Sequence, residues 1–158
     1  MKANRSYLRL AAALVTAFLA GGVIAAGTAD KPRAVVYKSP WCGCCVQWVK
    51  HLESHGFDVE TVDSEDMNSV KKELGLPVGL GSCHTAVVND RYLIEGHVPA
   101  PDVLRLVESG ADLKGLAVPG MPGGSPGMES APAQPYDVIA FDAEGRQEVY
   151  AQYGNDSE

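Results

Sequence analysis

Short apolar runs and segments of helical period alternate along most of this chain. Arg33-Ala34-Val35-Val36-Tyr37 is short, apolar and β-branched, which predicts a buried strand. A loop at Lys38-Ser39-Pro40 follows. Cys45, Trp48, Val49 and Leu52 then recur at i, i+3, i+4 and i+7, predicting a helix from Gly43 to His55 with one apolar face and Gly56 at its end. Phe57 to Val62 alternates apolar and polar residues, as a half-buried strand does. A second helix is predicted from Asp66 to Leu74, capped by Ser64 or Asp66 and closed by Gly75. Beyond the Gly- and Pro-bearing loop 76–82, Thr85 to Val88 and Tyr92 to Glu95 read as strands of a hairpin turning at Asn89-Asp90. Pro101 and Asp102 open a third helix through Val107, ended by Gly110. The order β-α-β-α-β-β-α predicts an α/β sandwich with a mixed sheet over residues 33–110.

The pattern then breaks. Gly115 to Glu129 has almost no period and is dominated by glycine and proline, the composition of a linker. Met121 and Met128, seven residues apart, are unusual in a flexible linker and carry soft thioethers. Tyr136 to Phe141 and Gln147 to Gln152 flank Glu144-Gly145 and predict a terminal hairpin, with a polar tail from Tyr153 to Glu158. Residues 111–158 are therefore expected as a C-terminal extension, with a Met-bearing loop (115–129) and a hairpin (136–152), packed on the α/β domain.

The first residues are of another kind. Lys2, Arg5 and Arg9 precede an uncharged apolar run from Leu10 to Ala26 that ends in small residues. This is the pattern of an export signal, residues 1–26, cleaved near Ala26, and it implies a periplasmic or otherwise exported protein. The run is rich in Ala and Gly, which disfavours a retained membrane span. No cysteine stands near the cleavage region, so a lipid anchor is not expected and the mature form reads as soluble. A composition of 46% hydrophobic and 21% charged residues is that of a globular chain. Cleavage would leave ten basic against twenty acidic residues, a net charge of −10. Such a chain is a poor partner for nucleic acid or an anionic membrane, and a fitting neighbour for cations.

All four cysteines would survive cleavage. Three are crowded into Cys42-Gly43-Cys44-Cys45, and the fourth is Cys83, next to His84. Exported cysteines usually pair, yet a pure disulfide framework has no need to crowd three thiols into four positions. Cys42 and Cys45 form C-x-x-C between a predicted strand and a helix start, where the helix dipole and free N–H groups favour thiolate. Trp41-Cys42-Gly43-Cys44-Cys45 resembles the thioredoxin motif Trp-Cys-Gly-Pro-Cys, with cysteine in place of proline. The resemblance covers roughly Arg33 to Gly110. Where thioredoxin-like folds carry a cis-proline facing that motif, this chain has Cys83-His84, so the resemblance implies that Cys83 faces the cluster. Zinc accepts four sulfurs in a tetrahedron. The adjacent Cys44 and Cys45 fit one tetrahedral ion poorly, and suit bridging thiolates of a multinuclear Cu(I) centre better.

Ser39 to Cys45, Cys83-His84-Thr85, Glu95 to Pro99, Gly115 to Pro122 and Gly124 to Glu129 together closely resemble the CopG-type periplasmic copper-resistance proteins, a predicted metal-binding family. The match spans nearly the whole chain beyond the signal. It implies a thioredoxin-like fold, a copper site on Cys42, Cys44, Cys45 and Cys83, and a role in copper tolerance, with copper redox chemistry as a further expectation. His84, His97, Met121 and Met128 are implied as neighbouring or alternative ligands. The expected partners are copper ions and other periplasmic copper-handling proteins. A second reading is a thiol–disulfide oxidoreductase, with Cys42 attacking and Cys45 resolving; a disulfide-stapled interaction domain is a third. His51 and His55, spaced i, i+4, are read as a solvated helix face, Trp41 as shielding and Trp48 as core.

Overall fold

In a computed structural model, residues 31–154 are described. The predicted export signal and the end of the polar tail lie outside them. The chain runs β1 (Arg33–Lys38), α1 (Gly43–Ser54), β2 (Asp58–Asp63), α2 (Met67–Glu73), β3 (His84–Val88), β4 (Tyr92–Glu95), α3 (Ala100–Ser109), β5 (Gly115–Ala117), β6 (Tyr136–Phe141) and β7 (Gln147–Tyr153). All seven strands join one sheet in the order β2-β1-β3-β4-β5-β6-β7. The pairs β1/β2 and β4/β5 are parallel and the others antiparallel. The class is thus mixed α/β, with three helices among the described residues.

Local signals set the helix ends. Cys42 is the N-cap of α1, its sulfur accepting the Cys45 N–H at 3.3 Å. At the other end Gly56 and Phe57 donate back to the Glu53 and Leu52 carbonyls, and the buried Phe57 stays with the helix terminus instead of starting β2. Of the two candidate caps for α2, Asp66 is the one used, accepting from the Ser69 N–H at 3.0 Å and its hydroxyl at 2.7 Å.

The even-numbered residues of β1 and β3 (Ala34, Val36, His84, Ala86, Val88) face α1 and α3. There they meet Trp48, Leu52, Val103 and Leu106 in the main core. Leu80, Leu93, Ala117 and Phe141 form a smaller core on the opposite side, with Leu74 and Leu76 at the end of α2. Asp102 lies in the first turn of α3, which starts earlier than expected, at Ala100. Its buried carboxylate also accepts from the Tyr153 hydroxyl at 2.6 Å, tying α3 to β7.

The stretch 115–129, linker-like in composition and expected as a Met-bearing loop packed on the domain, differs at its start. Gly115–Ala117 is a fully buried strand, and through it β6 and β7 continue the same sheet. Glycine is here for close approach, since a Cβ on Gly115 would lie 1.7 Å from the Leu93 carbonyl oxygen. Gly115→Ala must force β4 and β5 apart, and it is expected to cost about 1–3 kcal/mol in a denaturant titration, the usual range for overpacking. An alanine variant as stable as the parent would refute this account.

Candidate metal centre

Strand register gathers the chemistry at one end of the sheet. Lys38 pairs with His84, so the segment leaving β1 toward α1 lies beside the segment entering β3. Thr85 pairs with Glu95, which turns Gly96-His97 to the same end. Glu95 pairs in parallel with Ala117, so the Gly/Pro/Met segment leaves there too. Cys42, Cys44, Cys45 and Cys83 consequently converge, with their sulfurs within 4.8 Å of one another. Cys42 and Cys45 are joined as a disulfide, and Cys44 and Cys83 are free. Cys83 Sγ lies 3.5 Å from Cys45 Sγ and 3.8 Å from Cys44 Sγ, and Cys44 Sγ lies 3.4 Å from Cys42 Sγ.

Cys83 belongs to a second convergent group, with His84 and His97. Its sulfur is 3.2 Å from His84 Nδ1 and 3.1 Å from His97 Nε2. The hydrogen bonds assign the tautomers. His97 Nδ1 lies 2.8 Å from the Pro126 carbonyl oxygen, which can only accept, so Nδ1 carries the hydrogen and Nε2 a lone pair. The single Cys83 S–H proton therefore goes to His97 Nε2, and His84 donates from Nδ1 to the sulfur. His84 Nε2 is then a buried lone pair with no hydrogen-bond partner among the described residues. His84 lies wholly in the core, its ring 4.4 Å from Trp48 and 4.9 Å from His97 between centroids. Burial holds His84 well below the usual imidazole range, helped by His97 and Lys71 and opposed by the nearby Gly96 carbonyl. Burial also lowers His97, against the pull of the Pro126 carbonyl and Glu129. Both rings are thus kept neutral, the form that binds metals.

The Cys83 thiol is pushed up to about 12, chiefly by burial and then by Cys44 through charge and hydrogen bonding. Metal uptake at neutral pH must therefore displace a proton from Cys83. The sign for stability follows. A group raised above its unfolded value favours the fold below that value, 9.0, and loses the contribution as pH rises through about 12. Between those limits the metal-free chain is expected to lose stability with rising pH, and Cys83→Ala to lose part of that slope, read as denaturation midpoints. A slope unchanged in Cys83→Ala would refute it.

Under this loop lies a buried charge that sequence reasoning missed. Glu95 is fully buried; Oε1 accepts from Lys71 Nζ at 2.5 Å and from the Ser82 N–H at 2.6 Å, and Oε2 accepts from the Thr85 hydroxyl at 2.6 Å. Lys71 also donates to the Thr85 hydroxyl at 2.8 Å. The network fixes the residue immediately before Cys83. Its sequence signal is a glutamate ending the otherwise apolar run Tyr92-Leu93-Ile94.

The remaining candidates divide. Met121 and Met128 are placed near the rim by their backbone: Gly120 bonds to Gly81 and Ser82, and Gly127 presses on Cys44. The Met121 side chain is 53% exposed. His51 uses Nε2 to accept the Ala100 N–H at 3.0 Å, and His55 Nδ1 donates to the His51 carbonyl at 2.7 Å. The pair therefore ties α1 to the start of α3, a structural task that occupies the lone pair His51 would need for a metal. Trp48 is core, as expected, and donates to the Val98 carbonyl at 2.9 Å. Trp41, expected to shield the cysteines, is 86% exposed, because it precedes the N-cap and so lies off the buried face of α1.

Soft thiolates beside neutral imidazoles form a donor set suited to Cu(I) or zinc. The family described as "Protein of unknown function, DUF411" matches residues 80–128, which include Cys83, His84, His97 and both rim methionines. No curated protein sequence matches. A solved structure of copper resistance protein copG, Form 2, is 46% identical with a TM-score of 0.74, over 78% of this chain and 99% of that one. Form 1 of the copper resistance protein copG is 48% identical with a TM-score of 0.71, over 77% and 96%. At this identity over nearly the full length of the solved chains, the protein belongs to the CopG copper-resistance family.

Proposed function

We propose that this protein is an exported copper-binding protein that holds Cu(I) on Cys42, Cys44, Cys45 and Cys83 as a small multinuclear thiolate centre, in copper resistance. The observation that carries this reading is the convergence of four sulfurs within 4.8 Å, with the His97 Nε2 lone pair directed at Cys83. A single tetrahedral zinc would need both adjacent cysteines, Cys44 and Cys45, on one ion, whereas a multinuclear centre lets thiolates bridge. Four sulfurs become available only after an external dithiol reduces the Cys42–Cys45 disulfide, giving it two electrons and two protons and itself becoming a disulfide. Exchange with an external disulfide would take the two electrons back, reform the Cys42–Cys45 bond and release metal. Further elements of the reading are a thioredoxin-like core from β1 to α3, supported by the parallel β1-α1-β2 unit and the antiparallel β3/β4 pair, and cleavage of the export signal near Ala26. Copper ions, and other copper-handling proteins of the same compartment, are the proposed partners. No helix of the described residues is long and apolar enough to cross a membrane.

The disulfide at a helix N-terminus favours a second reading, a thiol–disulfide oxidoreductase using Cys42 and Cys45. One experiment separates the two. The reduced chain is titrated with Cu(I) against a competing chelator without oxygen, and its exchange with a small-molecule disulfide is timed. More than one Cu(I) per chain, with binding lost in Cys44→Ser, supports the copper centre. Weak binding with rapid exchange supports the oxidoreductase and overturns the copper centre.

A further inference from the structure

The segment 120–128 is fastened on both sides of the sulfur cluster. On the Cys83 side, Gly120 donates to the Gly81 carbonyl at 3.0 Å and accepts from the Ser82 hydroxyl. On the Cys44 side, the Pro126 carbonyl accepts from His97 Nδ1. Gly127 lies so close to α1 that a Cβ there would meet the Cys44 carbonyl at 2.7 Å, the Trp48 backbone nitrogen at 3.0 Å and His97 Nδ1 at 3.4 Å. Its φ of +88° also disfavours any side chain. Between these anchors the segment braces itself. Gly124 donates to the Met128 carbonyl at 3.0 Å and Met128 to the Ser125 carbonyl at 2.8 Å; the buried Ser125 hydroxyl donates to the Pro122 carbonyl at 2.7 Å. Glu129 accepts the Gly127 N–H at 2.8 Å.

Imidazole has one hydrogen to place when neutral, and the two choices leave opposite nitrogens bare. His97 is fully buried and packed edge-on against His84. The group that meets its Nδ1 therefore decides what its Nε2 shows to Cys83. That group is a backbone carbonyl, held in place because the next residue is glycine. A carbonyl cannot donate, so the reverse tautomer would set two lone pairs against each other.

We propose that the Gly/Pro/Met segment is a positioning strap: the Pro126 carbonyl, brought against His97 by the close approach of Gly127, fixes the Nδ1–H tautomer so that the Nε2 lone pair faces Cys83 and completes a mixed sulfur–nitrogen donor set. The last clause rests on the copper reading; the tautomer does not. Partners of this kind that orient a histidine ligand typically govern affinity by about 10–100-fold.

The test reads the tautomer directly. Long-range proton–nitrogen NMR on the 15N-labelled, reduced, metal-free chain is expected to show His97 as a single species, protonated at Nδ1 and bare at Nε2. In Gly127→Ala the strap must move, and His97 is expected to show mixed tautomers, with Cu(I) affinity down roughly tenfold and the thiol count unchanged. Should Gly127→Ala fail to fold, Glu129→Ala decides: it frees the Gly127 N–H of an exposed carboxylate and also removes the negative charge that bears on His97. It is expected to mix the tautomers partially and lower affinity by a smaller factor. An Nε2–H tautomer in the parent chain, or an unchanged tautomer and affinity in the folded variants, overturns the proposal. The expected tautomer in a chain that binds no Cu(I) would support the positioning of His97 and overturn the copper reading instead.

Discussion

Cys83→Ser is expected to lower Cu(I) affinity by roughly a thousandfold, about 4 kcal/mol. Cys83 belongs to both convergent groups, the four-cysteine set and the set with His84 and His97. Cys42, by contrast, belongs to the four-cysteine set alone and is tied up in the disulfide with Cys45. Serine keeps the shape of the side chain but replaces a soft thiolate with a hard hydroxyl, a poor donor to Cu(I). The serine hydroxyl can still donate to His97 Nε2, so the expected loss is that of the fourth sulfur itself. The measurement is competition with a chelator of known affinity under anaerobic reduction, on a variant whose folding is checked by denaturation. A Cys83→Ser chain binding within threefold of the parent would show that the three clustered cysteines suffice, and the centre drawn here would be wrong.

Glu95→Ala is expected to be the most damaging substitution for the fold outside the apolar core, at about 3–5 kcal/mol, the usual cost of removing one partner of a buried ion pair. The carboxylate is fully buried and the Lys71 side chain is 12% exposed. Its loss leaves Lys71 uncompensated and deprives the Ser82 N–H and the Thr85 hydroxyl of their acceptor. Glu95→Gln keeps an acceptor oxygen but not the charge, and is expected to cost less than alanine. Removing Lys71 in the Glu95→Ala background should recover part of the loss, the sign of direct coupling. Because Ser82 precedes Cys83, the alanine variant should also bind Cu(I) more weakly. Denaturant titrations of the three variants check the energies. A cost below about 1 kcal/mol for Glu95→Ala would mean that the network contributes little, as exposed pairs do.

Much of this architecture is legible from local pattern. The spacing of Cys45, Trp48, Val49 and Leu52 gives α1 and its buried face, because a 3.6-residue period is a property of the helix itself. The β-branched runs give β1 and β3 for the same reason. Errors of one or two residues occur where packing sets the boundary: Phe57 is drawn to the end of α1, and α3 begins at Ala100 and runs to Ser109. Glycine misled more seriously. The density of Gly and Pro from Gly115 onward is that of a loop throughout, yet Gly115 stands in a strand and serves close packing of β5 on β4, and Gly127 serves close packing of the strap on α1. Local composition cannot tell a glycine that turns a loop from one that admits a neighbour.

The sequence by itself determined the donor inventory: three crowded thiols at a helix start, and the adjacent pair Cys83 and His84 further along. Which atoms meet was decided by the tertiary structure. Cys44 and Cys83 are 39 residues apart, and His97 and Pro126 are 29 apart. They converge because the register of β1 on β3, β3 on β4 and β4 on β5 turns four chain segments to one end of the sheet. Hydrogen-bond partners and burial then set what each donor can do. Pro126 leaves the His97 Nε2 lone pair toward Cys83, burial keeps both imidazoles neutral, and Glu95 anchors the Cys83 loop. These are long-range properties of pairing and desolvation, so the chain had to be folded before they could be read.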